Sequence, residues 1–426
     1  MQQIASNNAP SPLVVVPHFI VGGLIWVLVT ALIVVFPDSF TQHYFNPQLL
    51  AITHLLVLGW ITMVIFGALY QLIPVIMEVK LYSEKLAVIS LVSLAIGTLL
   101  LAISFWNFWL GTTMILAAMF LLVSVSVFSF NVFQSALQSA NESIEKQFIQ
   151  TSIVWLVFTI VAGVTLAFNL TAVFLATPHI ELLKLHANAG VVGWFIQLII
   201  GVSSRLVPMF MVSHNLDKSK LKVAHVLINI GLILSVLSIY LQWKLGVVVT
   251  AIILLSGIGF FVFFIIDSYK NRIKKQLDIG MKQSVFSFFM LFLGLFIFFF
   301  LILTTDLFES LTAQLSIALV STLLIGFITS LIMGQTYKTL PFIIWLHVYR
   351  NRIGKSDIPF PKNLYSELIS KTQLVFFALG FLVFFAGILM LNEFIITLGG
   401  VLMFISSVLY SFNTIKIIKH KAKLYE

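Results

Sequence analysis

The chain contains no cysteine. Disulfides, thiolate metal sites, iron–sulfur clusters and covalently attached c-type haem are excluded with it, so any metal must rest on His, Met, Tyr or carboxylate. Charge is also scarce: 9% of the 426 residues are Asp, Glu, Lys or Arg, against 60% hydrophobic, and the mean hydropathy is +1.09. Soluble domains do not have this composition. No Gly-rich phosphate loop ending in Lys and no zinc-protease His pair is present. The longest stretches between apolar runs, 136–150 and 347–370, are too short to fold alone. The most basic of them, RNRIGKSDIPFPK, offers a docking surface for lipid or a partner. No Lys or Arg precedes the first apolar run and no small-residue cleavage site follows it, so that run reads as a retained helix and not a signal peptide.

What the chain has is twelve apolar segments, at about 14–36, 49–76, 85–105, 108–135, 151–175, 183–212, 222–243, 246–267, 283–304, 314–346, 371–391 and 394–416. Each is long enough to cross roughly 30 Å of hydrocarbon. Barrel strands would alternate polar and apolar residues, whereas these runs are apolar on every face. The expectation is an all-α polytopic bundle, one membrane domain over residues 1–426. Lys80, Lys85, Lys146, Lys218, Lys220, Lys222, Lys270, Arg272, Arg350, Lys371 and Lys416 fall on one side of it, against Lys184 and Lys244 on the other. That asymmetry predicts both termini in the cytoplasm of a bacterial-type inner membrane. The net charge of +9 then answers to anionic lipid and calls for no nucleic acid.

Three of the segments share a spacing. Gly59, Gly67 and Pro74 recur as Gly193, Gly201 and Pro208, and again as Gly326, Gly334 and Pro341. The first glycine is followed each time by an aromatic residue, Trp60, Trp194 or Phe327, and the copies lie 134 and 133 residues apart. This predicts three pseudo-repeats of four helices, about 1–140, 141–275 and 276–426. Glycines on one helix face admit a close neighbour, which is either another helix or a flat cofactor. The prolines are expected to kink or end each helix.

Nine histidines remain. His54 and His186 fall in the first turns of the second and sixth helices, twenty and twenty-two residues before the proline. A neutral imidazole there is a candidate ligand for haem iron, weighed against a hydrogen-bonded core histidine. His18, His214 and His347 lie toward the cytoplasmic side and are candidates for copper or another metal if three helices gather them. His43 and His179 belong to outer loops, while His225 and His420, among lysines, read as solvated or lipid-facing. Tyr70, Gln71, Arg205, Tyr337 and Lys338 precede the three prolines by three or four residues. Arg205 or Lys338 could pair with an anionic group or snorkel to the headgroups.

With a histidine opening HLLVLGWITMVIFGALYQLIP, and with HANAGVVGWFIQLIIGVSSRLVPMF and LPFIIWLHVY further on, the chain resembles subunit I of the haem-copper oxidases. Within that superfamily it looks like its divergent bacterial members, which shade toward nitric-oxide-tolerance proteins of the NnrS type. The resemblance spans the whole chain. It implies a b-type haem, with copper as a further candidate. Oxidases carry two histidines two residues apart in the tenth helix, pointing about 200° apart. Carried onto this chain, His54 would face the sixth helix and His186 the second, both reaching one iron. The departures are plain: ALVST at 318–322 holds no histidine, and the sequence has no His-His pair for copper.

The expected function is haem-based electron transfer or binding of a diatomic gas, with a redox partner or further membrane subunits, and without a complete oxygen-reducing centre. Gly59, Gly67, Gly193, Gly201 and Arg205 are the expected surroundings of the haem. The alternative is a cofactor-free transporter or accessory subunit on the same scaffold. Transporters place charges mid-helix, and no Asp or Glu lies mid-helix here.

Overall fold

The computed structural model describes residues 8–304, 309–350 and 358–421, without the side chains of 303–310. Most of the basic stretch from Arg350 to Lys362 lies outside them. Twelve helices are long and apolar enough to span a membrane: α1 (Pro12–Val35), α2 (Pro47–Ile76), α3 (Glu84–Trp106), α4 (Thr112–Leu137), α5 (Ile144–Thr171), α6 (His179–Met211), α7 (Ser219–Tyr240), α8 (Lys244–Lys270), α9 (Ile279–Ile302), α10 (Leu311–Tyr349), α11 (Glu367–Leu389) and α12 (Glu393–Ile418). No strand forms among the described residues, and one isolated bridge pairs Ser213 with Arg272. This is an all-helical, multi-pass membrane protein.

Side-chain oxygens start several helices by accepting from the first orphan N–H groups: Asn46 from Gln48 and Leu49, Ser143 from Lys146, Ser366 from Ile369 and Asn392 from Ile395. Burial then sorts the helices. Along the most apolar window, α2, α6 and α10 are 72–78% buried, the other nine 28–44%. The nine carry exposed Leu, Ile, Val and Phe on one side, the surface a bilayer would cover.

The three buried helices share a second feature that no propensity announces. Each turns from α to π geometry for eight residues: Leu55–Thr62, Ala189–Ile196 and Thr322–Thr329. Gly59, Gly193 and Gly326 each stand fifth in their segment. Pro74 and Pro208 sit in the last turn of α2 and α6, as expected. Pro341 does not end α10, which continues for eight residues to Tyr349.

Chain contacts divide the molecule into two compact units. The first holds residues 1–72, 94–109 and 278–426. In it α1 lies on α2, with Trp26 and Trp60 stacked at 5.9 Å, and α11 lies on α12. A Cβ on Gly399 would stand 2.6 Å from the Cα of Phe384, so only glycine lets these two backbones meet. Tyr410 donates to Thr336, Trp60 Nε1 to Thr329 and Gln373 to Ser406, pairing polar groups that lipid could not satisfy.

The second unit holds residues 73–93 and 110–277. Asn131 of α4 grips Ser83 ahead of α3 through both backbone groups, at 2.9 and 2.8 Å. Asn413 of α12 grips Ser366 ahead of α11 in the same way in the first unit. Gly231 of α7 meets Leu254 of α8, and Gly257 of α8 meets Ile228.

Candidate functional site

Three intramembrane imidazoles share one chemical state. His18 Nδ1 lies 2.8 Å from the Val14 carbonyl, His54 Nδ1 2.8 Å from the Leu50 carbonyl, and His186 Nδ1 3.0 Å from the Thr159 carbonyl. A carbonyl only accepts, so each Nδ1 carries a proton, and in the neutral ring Nε2 keeps its lone pair. That is the tautomer of a histidine that ligates through Nε2 while a backbone oxygen fixes its ring.

The three differ in surroundings. His18 is wholly buried and its Nε2 has no hydrogen-bond partner. Its ring lies on Gly67 and meets the Tyr70 ring edge-on at 5.6 Å. His54, half-buried at the entry to the first π segment, packs against Phe105 of α3 at 4.9 Å. His186, in the second unit, lies over Gly163 of α5, where a Cβ would come within 2.9 Å of its Cε1. Because His18 rests on Gly67, thirteen residues along α2 from His54, the two rings differ in depth by about 20 Å of helix. They belong to different sites.

The neighbours of the repeated glycines are side chains. A Cβ on Gly59 would stand 2.7 Å from Ile25 of α1, on Gly67 2.5 Å from the Cβ of His18, on Gly193 2.7 Å from Trp155 of α5, and on Gly201 2.7 Å from Phe148 of α5. Gly326 meets Phe381 of α11, and Gly334 meets the Gly280 carbonyl just inside α9. Of the two readings of these glycines, close helix packing accounts for every one. The donor set fits haem iron, then, while the glycine faces hold helices and not an open notch.

The remaining candidates spread out. Lys338 forms an ion pair with Asp278, 2.5 Å away, instead of snorkelling freely. Arg205 is half-buried on α6. His214 is exposed in the turn that follows left-handed Val212, and His347 is exposed in the last turns of α10. Among the described residues no three His, Asp or Glu side chains gather so as to hold a metal ion.

Reading by sequence missed one constellation. His225 is not simply lipid-facing: its Nε2 lies 3.1 Å from Thr151 Oγ1 of α5, and its ring meets Phe148 at 4.8 Å. Thr151 Oγ1 also lies 3.1 Å from Gln197 Oε1 of α6. The Gln197 and Asn229 amides bond to each other in both directions, and Trp155 Nε1 donates to Asn229. The available signal was the i, i+4 placement of His225 and Asn229 with a glutamine inside an apolar run.

No protein-family model matches the sequence, and no curated protein matches it. Among solved structures the fold is similar to that of a heme-copper terminal oxidase determined as a dimer by cryo-electron microscopy. The TM-score is 0.67 at 12% identity, over 96% of this chain and 85% of that one. The fold is that of haem-copper oxidase subunit I, and at this identity the likeness concerns fold alone.

Proposed function

We propose that this protein is a haem-binding member of the bacterial-type cytoplasmic membrane, both termini inside. It passes electrons or holds a diatomic gas such as nitric oxide, and it lacks the copper-paired oxygen-reducing centre. The oxidase-like fold supports the reading; one observation carries it, the His54 ring held at Nδ1 by the Leu50 carbonyl, which leaves Nε2 to meet a metal. A b-type haem, when bound, would supply an iron that exchanges one electron or binds a diatomic gas. His54 would hold that iron from the first unit, the Leu50 carbonyl setting its ring and Phe105 shielding it from water. His186, oriented by the Thr159 carbonyl, is the ligand candidate of the second unit. Arg205 is suited to a propionate by its planar fork. Gly59, Gly67, Gly193 and Gly201 act indirectly, by drawing α1 onto α2 and α5 onto α6. His18, with its buried and unpartnered Nε2, is the candidate for a second metal such as copper, and exposed His214 and His347 are weaker ones. A kinship to the nitric-oxide-tolerance proteins would follow from gas binding, and a redox partner or further subunits from electron transfer.

The test is optical. Purified full-length protein, supplied with haem during expression, is expected to show a Soret band and split reduced α and β bands. Both should vanish in His54→Ala and persist in His347→Ala. A colourless, folded protein refutes the reading and leaves the cofactor-free transporter or accessory subunit in its place.

A further inference from the structure

The second unit contains a polar seam that the haem reading does not use. It begins where α5 and α7 start. Glu145 is only 2% exposed; one carboxylate oxygen lies 2.7 Å from Lys218 Nζ, and the other, Oε2, is buried without a hydrogen-bond partner. Seven residues beyond Lys218, two turns along the same face of α7, stands His225. Its Nε2 reaches Thr151, which lies against Gln197, and the Gln197–Asn229 amide pair closes the network onto Trp155.

We propose that His225, with Glu145 at the mouth of the seam, forms a proton-binding site inside the membrane domain. Three features argue for it. An ionisable group within a span is costly unless used. The network offers protonated His225 what a cation needs: Nε2–H donates to the Thr151 hydroxyl oxygen, whose own hydrogen finds acceptors in the Gln147 carbonyl at 2.9 Å and Gln197 Oε1 at 3.1 Å. And Glu145 keeps one carboxylate oxygen unsatisfied in a buried place, a group that a proton or a water would complete. The step is a simple protonation: a proton from water at the Lys218 end forms an N–H bond at Nδ1, His225 becomes an imidazolium, and no electron moves. The same proton returns to water on release.

The helices around His225 carry charged groups toward the same end. On α5 they are Glu145 and Lys146, the latter held by Glu142 and the Ser139 carbonyl. On α6 there is Arg205. On α7 there are Lys218, paired with Glu145, and exposed Lys222. On α8 Asp267 pairs with Lys220 of α7. Glu145 is the anion of α5, so its charge favours the imidazolium. Its pairing with Lys218 offsets part of that attraction, so removing the carboxylate would leave the imidazolium facing an unpaired ammonium.

The experiment uses full-length protein with ¹⁵N-labelled histidine in lipid nanodiscs, and it stands whether or not haem binds. The resonances absent from His225→Gln identify the site. They are expected to pass from the neutral to the imidazolium pattern as the pH is lowered. In Glu145→Gln the midpoint should fall, and in Thr151→Val it should also fall. A His225 that stays neutral throughout overturns the proposal and leaves the network as packing glue. So does a midpoint unmoved by Glu145→Gln. Should His225→Gln not fold, the Glu145→Gln displacement of a single histidine resonance decides alone.

Discussion

Replacing Gly67 with alanine tests whether the repeated glycines are notches for neighbouring helices. The new Cβ would stand 2.5 Å from His18 Cβ, 3.0 Å from His18 Cγ and 3.2 Å from the Val15 carbonyl oxygen. Carbon atoms rest at about 3.5–4.0 Å, so α1 must retreat by about 1 Å. The obstructing atom is a Cβ at the root of a side chain, so no rotamer change relieves it. Overpacking of this kind costs about 1–3 kcal/mol, and alanine returns up to about 1 kcal/mol of helix propensity. The expected net loss is therefore about 1–2 kcal/mol. Gly334→Ala should cost more, because its neighbour is the rigid Gly280 backbone oxygen at 2.7 Å. Gly259→Ala of α8 is the control: nothing lies within 4 Å of its Cβ, so propensity alone should leave it neutral or up to about 1 kcal/mol more stable. Reversible unfolding in mixed micelles reads all three. If Gly67→Ala and Gly259→Ala move together, the packing account is refuted.

Tyr365, ahead of α11, has its hydroxyl pushed up to about 12 by burial and by the carboxylates of Asp278 and Glu367. A raised folded-state value gives stability that is whole below the unfolded value near 10. It is lost as pH climbs toward 12, so the wild type should lose more stability over that window than Tyr365→Phe in parallel melts. Asp278→Asn breaks the ion pair with Lys338, which is only 15% exposed on its side chain, and weakens the cap on Met281; about 1–3 kcal/mol should be lost, and Lys338→Met in the same background should restore part of it. Thr329→Val removes the acceptor of Trp60 Nε1 and should cost about 1–3 kcal/mol, with a change in tryptophan fluorescence that Thr397→Val does not produce.

The twelve spans were legible because a membrane crossing needs an apolar run of a set length, and the runs at 49–76 and 183–212 differ from α2 and α6 by a few terminal residues. The burial of α2, α6 and α10 was legible too, through glycines that only a crowded helix needs. The π segments were not, since a one-residue change of winding leaves the residue types untouched. His225 was misjudged because lysines nearby suggested water, whereas its partner Thr151, and Gln197 beyond it, come from helices distant in sequence. Lys338 was left between an anionic partner and the headgroups because its partner Asp278 lies sixty residues before it.

The π segments bear on how this chain can change. Each supplies a surplus residue to its rod, so excising a single amino acid from Leu55–Thr62 would restore ordinary winding. Because the wide turn absorbs that residue, the segments on either side would keep their faces, His54 at one end and Gly67 at the other retaining their neighbours. A lone deletion there should be tolerated better than one in the ordinary α turns of Met63–Ile76, which would rotate everything beyond by about 100° and draw it in by about 1.5 Å, and the same holds for Ala189–Ile196 and Thr322–Thr329.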